Sequence, residues 1–184
     1  RSFVDANTVR MTNLNGKGHR DVTAGSVVIA CGTHATKDAH IPFDGQRVFI
    51  SDDVLTLEKL PRSLAVIGAG VIGAEYATIF AALGIRVSLI DKRTQLLPFI
   101  DAEITQALAY HMHQNRVTLR LGEGVSGVEI FSDERGQHVR IKLDSGKQVV
   151  TDSALYSIGR TGATEKLNLD ARSEEHTSEL QSRF

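Results

Sequence analysis

One hexapeptide limits the fold of this chain more than any other feature: Gly68-Ala69-Gly70-Val71-Ile72-Gly73, which fits G-x-G-x-x-G. Alone the match is weak, because glycine-rich loops are common, but its setting makes it specific. Residues 64–67 before it read as a short apolar strand. Residues 71–83 after it read as a helix, with Gly84 where a left-handed cap would stop it. Residues 86–90 form a second strand running into Asp91, 23 positions after Gly68. This reads as a βαβ unit of the dinucleotide-binding kind, the alternative being a Gly-rich turn that serves only packing. Gly68 permits the tight turn, Gly70 lets backbone approach a pyrophosphate, and Gly73 lets the helix pack against the strand. Ala69, Val71 and Ile72 complete the motif, at a helix N-terminus whose free N–H groups and partial positive charge suit phosphates. Asp91 is placed to accept hydrogen bonds from the adenosine ribose hydroxyls, which favours NAD, since a carboxylate repels a 2′-phosphate. Lys92 and Arg93 follow at once, and an Arg fork suits a phosphate. The pair either admits NADP as well as NAD or solvates a loop.

The rest of the chain is organised around that unit. Residues 3–10, with turn chemistry at Asp5 and Asn7, and the polar, Gly-rich loop 13–18 read as strands joined by turns, and the continuous apolar run 26–30, SVVIA, reads as a strand buried on both faces. Residues 53–57 suggest a short helix. Asp101 is a candidate N-cap for a helix with Ile104, Ala107, Leu108 and Met112 on its apolar stripe. Residues 117–121 supply a third strand. The alternation at Val128, Ile130, Val139, Ile141 and Leu143, with turn chemistry at 133–136 and 144–147, predicts a small antiparallel meander. Residues 154–158 return as a buried strand before Gly159. The expected fold class is α/β: a Rossmann-like dinucleotide-binding domain carrying an antiparallel β-meander, flanked by partial segments of another domain.

Composition removes several functions. With 21 Lys plus Arg against 22 Asp plus Glu, no basic field exists to attract nucleic acid or an anionic membrane surface. No run approaches the roughly 18 apolar residues of a membrane span, and residues 1–10 lack a signal peptide's apolar stretch. The single cysteine, Cys31, excludes a disulfide-stapled scaffold and is expected as a small core residue. His111 and His113, two apart on a helix, face apart, so no metal site is expected. A start on Arg1 rather than Met suggests a cut piece. Residues 172–182, RSEEHTSELQS, break the apolar rhythm and resemble the in-frame translation of a common DNA sequencing adapter, so 172–184 are expected to be an assembly artefact.

The stretches GAGVIGAEYATIFAALG and VSLIDKRTQLLPFIDAEI resemble the pyridine-nucleotide domain of the two-dinucleotide flavoprotein disulfide reductase superfamily. Within it, SDDVLTLEKLPRSLAVIGAGVIGAEYA, YHMHQNRV and YSIGRTGATEKLNLD are most similar to the soluble, Si-specific pyridine nucleotide transhydrogenases. The resemblance covers residues 1–171. It implies a partial FAD-binding domain over 1–50, an NAD(P)-binding domain over 51–160, and the start of a return to the FAD domain over 161–171.

Residue roles follow from the same resemblance. Ala30-Cys31-Gly32-Thr33 matches the superfamily's A-T-G-[ST] segment beside FAD, with Cys31 where Thr is usual. Glu75 matches a glutamate near the nicotinamide; by position it also reads as a first-turn acid favouring the helix dipole. Gly159-Arg160 matches a G-R pair near the pyridine nucleotide, although Thr161-Gly162-Ala163-Thr164 replaces the usual Pro-Asn. The implied activity is hydride transfer between NADPH and NAD through FAD, in a cytoplasmic homodimer or higher oligomer held by a C-terminal domain outside this chain. A dihydrolipoyl dehydrogenase-like disulfide reductase and a non-catalytic nucleotide-binding module are the alternatives.

Overall fold

The computed structural model describes residues 1–13, 15–134 and 136–172; the adapter-like stretch from 173 onward lies outside them. The chain divides into two compact units, one of Arg1–His34 with the segment from Arg160 onward, the other of Ala35–Gly159.

In the first unit β1 (Ser2–Phe3), β2 (Thr8–Thr12) and β3 (His19–Thr23) form an antiparallel sheet in that order. Asp5 turns β1 into β2 by accepting from the Asn7 N–H, and Arg10 and Asp21, directly opposite in register, form an exposed ion pair. β4 (Thr33–Ala35) pairs with β13 (Arg160–Gly162). The segment after β13 is tied back through Phe3, whose N–H donates to Leu167 and whose carbonyl accepts from Asn168.

Residues 26–30 do not form the expected buried strand. They have no regular structure, and Val28 is 90% exposed. A strand buried on both faces needs neighbours on both edges to satisfy its backbone; the described residues supply none at 26–30. Cys31 is likewise exposed rather than a core residue.

The second unit is three layers deep. Its centre is a five-stranded parallel sheet of β5 (Val48–Ile50), β6 (Ser63–Ile67), β7 (Arg86–Asp91), β8 (Thr118–Leu121) and β12 (Ser153–Tyr156), in the order β5-β12-β6-β7-β8. Helices α1 (Val71–Ala82) and α2 (Ala102–Gln114) contribute to the apolar cluster on one face. On the other lies the meander β9 (Val125–Asp133), β10 (Gly136–Leu143) and β11 (Gln148–Thr151). The strand period of two explains the continuous apolar runs. Leu64 and Val66 of β6 join the helical cluster with Ala77, Phe80 and Leu89. Ala65 and Ile67 join the other with Val139, Ile141 and Tyr156. Asp152 locks the strand starts, accepting from the Arg62 and Ser63 N–H groups while its own N–H donates to the Ser63 hydroxyl.

α1 buries Gly73, Ala74, Ala77, Phe80 and Ala81, and the small residues let it sit close to the sheet. α2 starts where expected, Asp101 capping the Glu103 N–H at 2.9 Å, but it buries only Met112. Ile104, expected on its core stripe, is 61% exposed, because only the C-terminal half of α2 reaches the cluster, through Leu108, Ala109 and Met112. Met112→Ala should therefore release the helix, costing about 2–4 kcal/mol. Hydrogen exchange at β8 would accelerate; wild-type protection there would refute it. β12 also stops at Tyr156, two residues short of the expected strand end, and Ile158 is exposed.

Candidate functional site

Sheet order places the site. From β6 the chain winds outward through α1, β7, α2 and β8, and only after the meander does β12 return on the opposite side of β6. The order of connection therefore reverses between β6 and β12, and the crevice outside the carboxyl ends of strands at such a point is where open α/β sheets bind ligands.

The glycine turn fills that crevice's floor. Gly68 has φ +102°, and a Cβ there would lie 2.5 Å from the Ser157 carbonyl oxygen, so both backbone conformation and space demand glycine. A Cβ on Gly73 would overlap the Gly68 carbonyl oxygen, which confirms the close helix-to-strand approach expected of that position. Gly70 differs: a Cβ there would meet nothing within 4 Å. Packing of the described residues does not require its bare backbone; what it leaves is open space in front of α1. Gly70 is also the N-cap of α1 and provides no side-chain cap, so no cap side chain engages the first-turn N–H groups, which include those of Val71 and Ile72. Open space and first-turn donors without a side-chain cap together suit an anion such as a pyrophosphate.

Asp91 ends β7 beside this turn and is only 7% exposed. Its Oδ2 accepts from the Ala69 N–H at 2.6 Å and from the Arg93 guanidinium at 2.6 Å. Its Oδ1 accepts from the Arg93 backbone N–H at 2.8 Å and from Arg93 Nε at 3.0 Å. Burial opposes the charge on Asp91, but these bonds outweigh it and hold its carboxyl below the ordinary carboxylate range. The same pairing raises Arg93. Lys92 is exposed.

Sequence reasoning missed Ser157. Its N–H donates to Ile67 at 2.8 Å, and its hydroxyl lies 3.1 Å from the carbonyl oxygens of both Ile67 and Gly68, bracing the turn from the neighbouring strand. A small hydroxyl residue near the end of the expected 154–158 strand was the only signal available, and nothing in the chain order places β12 beside β6. Glu75 is the fifth residue of α1, so it is not the first-turn acid the sequence suggested. It lines an apolar groove of about 380 Å³ with Val71, Ile79, Leu97, Ile100 and Leu108 among others.

The remaining candidates fall in the first unit, apart from Gly159 at the edge of the second. Arg160 and Thr33, 127 positions apart, meet: Arg160 Nε donates to the Thr33 hydroxyl at 2.8 Å and its Nη2 to the Thr33 carbonyl at 3.0 Å. Gly32, at φ +75°, accepts from the Ala163 N–H, while Gly159 accepts from Thr36. Ala30 and Cys31 are exposed beside this cluster.

A family model described as pyridine nucleotide-disulphide oxidoreductase matches residues 1–180. The chain belongs to that family. It is 45% identical over 169 residues to the soluble pyridine nucleotide transhydrogenase of Stutzerimonas stutzeri (strain A1501), covering 92% of this chain and 35% of the relative. It is 40% identical over 167 residues to the protein of that name in Mycobacterium bovis (strain BCG / Pasteur 1173P2), with 91% and 35% covered. The crystal structure of LpdA from Mycobacterium tuberculosis shares the fold, at TM-score 0.79 and 24% identity over 92% of this chain and 37% of that one. The chain thus spans about a third of the length of the curated relatives it matches. As a pyridine nucleotide-disulphide oxidoreductase family member, it presents the glycine turn and Asp91 in one unit and the Thr33–Arg160 cluster in the other. Among the described residues no helix is long and apolar enough to cross a membrane.

Proposed function

We propose that this chain is the pyridine-nucleotide-binding part of an FAD-dependent enzyme that transfers hydride between NADPH and NAD. The observation that carries the reading is the glycine turn at the β6/β12 reversal, with open space at Gly70 and the Asp91 carboxylate beside it. The 40–45% identity to proteins named soluble pyridine nucleotide transhydrogenase supports this reaction. The word soluble in those names is compatible with the expected cytoplasmic location.

When bound, FAD would supply the hydride-transfer chemistry between the two nicotinamide nucleotides. This chain's residues do the positioning. Gly68, Ala69, Gly70, Val71, Ile72 and Gly73 would hold the pyrophosphate by backbone, and Asp91 the adenosine ribose, with Lys92 and Arg93 at the 2′ position. Glu75, one helical turn further along α1, would lie toward the nicotinamide end. Ala30, Cys31, Gly32 and Thr33 would border FAD, with Arg160 fixing Thr33, and the Gly159-Arg160 pair would lie near the pyridine nucleotide. The full-length protein would add the first FAD phosphate loop upstream. Downstream it would add the second FAD segment and the contacts of a homodimer or higher oligomer.

The test is anaerobic titration of the full-length protein. NADPH should bleach the flavin, and added NAD should restore its colour while forming NADH. A flavin that NADPH fails to bleach, or that recovers only with a disulfide substrate, would overturn the proposal.

A further inference from the structure

The hydrogen bonds at Asp91 bear on which nucleotide the site accepts, an inference that rests on the dinucleotide reading above. An ionised carboxylate offers about four acceptor positions on its two oxygens. All four are taken: two by Arg93 Nε and Nη2, two by the backbone N–H groups of Ala69 and Arg93. A ribose hydroxyl can therefore bond to Asp91 only if one of these donors leaves.

The two backbone donors are held in place. Ala69 sits in the glycine turn, whose Gly68 N–H donates to Ile90. The 91–93 backbone is fastened from the loop after β8, with the Glu123 N–H donating to Asp91 and the Gly122 N–H to Arg93. The guanidinium is different. Its side chain is 43% exposed against 6% for Asp91, and the two bonds to Asp91 are its anchor at this site. It is the donor free to go.

We infer that the Asp91–Arg93 ion pair is an exchangeable latch that sets nucleotide selectivity: the guanidinium competes with the 2′-hydroxyl of NAD(H) for Asp91, and on release binds the 2′-phosphate of NADP(H). Either nucleotide opens the pair. NAD(H) gains Asp91 at the expense of the Arg93 contact. NADP(H) needs the hydroxyl acceptor no longer and gains a fork suited to its phosphate. One side chain thus lowers affinity for one substrate and raises it for the other, so a single site can take both in turn.

The consequence runs against the usual expectation for a binding-site residue: removing Arg93 should improve NAD(H) binding. The experiment is calorimetry on the full-length flavoprotein with ADP-ribose and 2′-phospho-ADP-ribose, which probe the adenosine end without hydride chemistry. Arg93→Met keeps the aliphatic stem and removes the fork; Arg93→Lys keeps charge without the planar fork. For Arg93→Met, ADP-ribose should bind about 2- to 5-fold tighter, the scale of an ion pair whose cation reaches solvent. The 2′-phosphate form should bind about 10- to 100-fold weaker, the scale of a charge-assisted bond. Arg93→Lys should fall between. Equal weakening of both ligands in Arg93→Met would make Arg93 a mere brace for Asp91 and overturn the latch, as would no change in either. Wild-type protein that binds neither ligand would overturn the dinucleotide reading and the latch with it. Binding that follows the expected pattern in a protein unable to pass hydride from NADPH to NAD would sink the activity and leave the latch standing.

Discussion

Gly73→Ala is expected to abolish NADH binding and to destabilise the Ala35–Gly159 unit by about 3 kcal/mol, the upper range for overpacking a tight site. The added Cβ would overlap the Gly68 carbonyl oxygen and lie 2.7 Å from the Ser157 hydroxyl. The first is backbone in a turn fastened to β7 through the Gly68 N–H, so no side chain can swing away to make room. Gly70→Ala supplies the contrast, since its Cβ meets open space. That variant should melt like wild type and yet bind NADH more weakly, because the methyl group occupies the room a pyrophosphate needs. Thermal melting and NADH titration of both variants in the full-length protein read the difference. A Gly73→Ala protein as stable as wild type would mean that α1 can withdraw from the turn.

The second large effect is expected for Asp91→Ala: NADH binding falls about 10- to 100-fold, since hydrogen bonds to a charged group contribute about 1.5–3 kcal/mol. NADPH, served by the freed Arg93, should change only a few-fold. Calorimetric titration with each nucleotide checks this, and equal losses for both would refute it. Acid behaviour should change too. The folded carboxyl titrates below its ordinary value, so its contribution to stability is complete above the ordinary carboxylate range and is lost as pH falls through the lowered folded value. In Asp91→Ala that part of the acid sensitivity disappears.

Much of the Ala35–Gly159 unit was legible in the chain, because local rules govern it. Leu64 to Ile67 read as a short apolar strand and lie in β6. The three glycines punctuate the following turn, Asp101 caps α2, and the alternation from Val128 to Leu143 has the strand period that the meander adopts. Residues 26–30 misled because an apolar run predicts burial only if neighbouring strands exist, and the described residues provide none there. Ile104 misled for a related reason: helical period places it on the stripe with Met112, but whether a stripe is covered depends on what packs against each end of the helix.

The site divides the same way. The motif Gly68 to Gly73, and the spacing to Asp91, follow from the sequence because one βαβ unit carries them. Tertiary structure alone decided the rest. It set β12 beside β6, so that Ser157 braces a turn 89 positions away. It brought Arg160 onto Thr33 across 127 positions. It also folded Arg93 back onto Asp91, filling every acceptor of the carboxylate that the sequence offers to a ribose. Local spacing determines which groups a turn presents; only the packed strands determine which of those groups are already engaged, because hydrogen bonds are formed between neighbours in space.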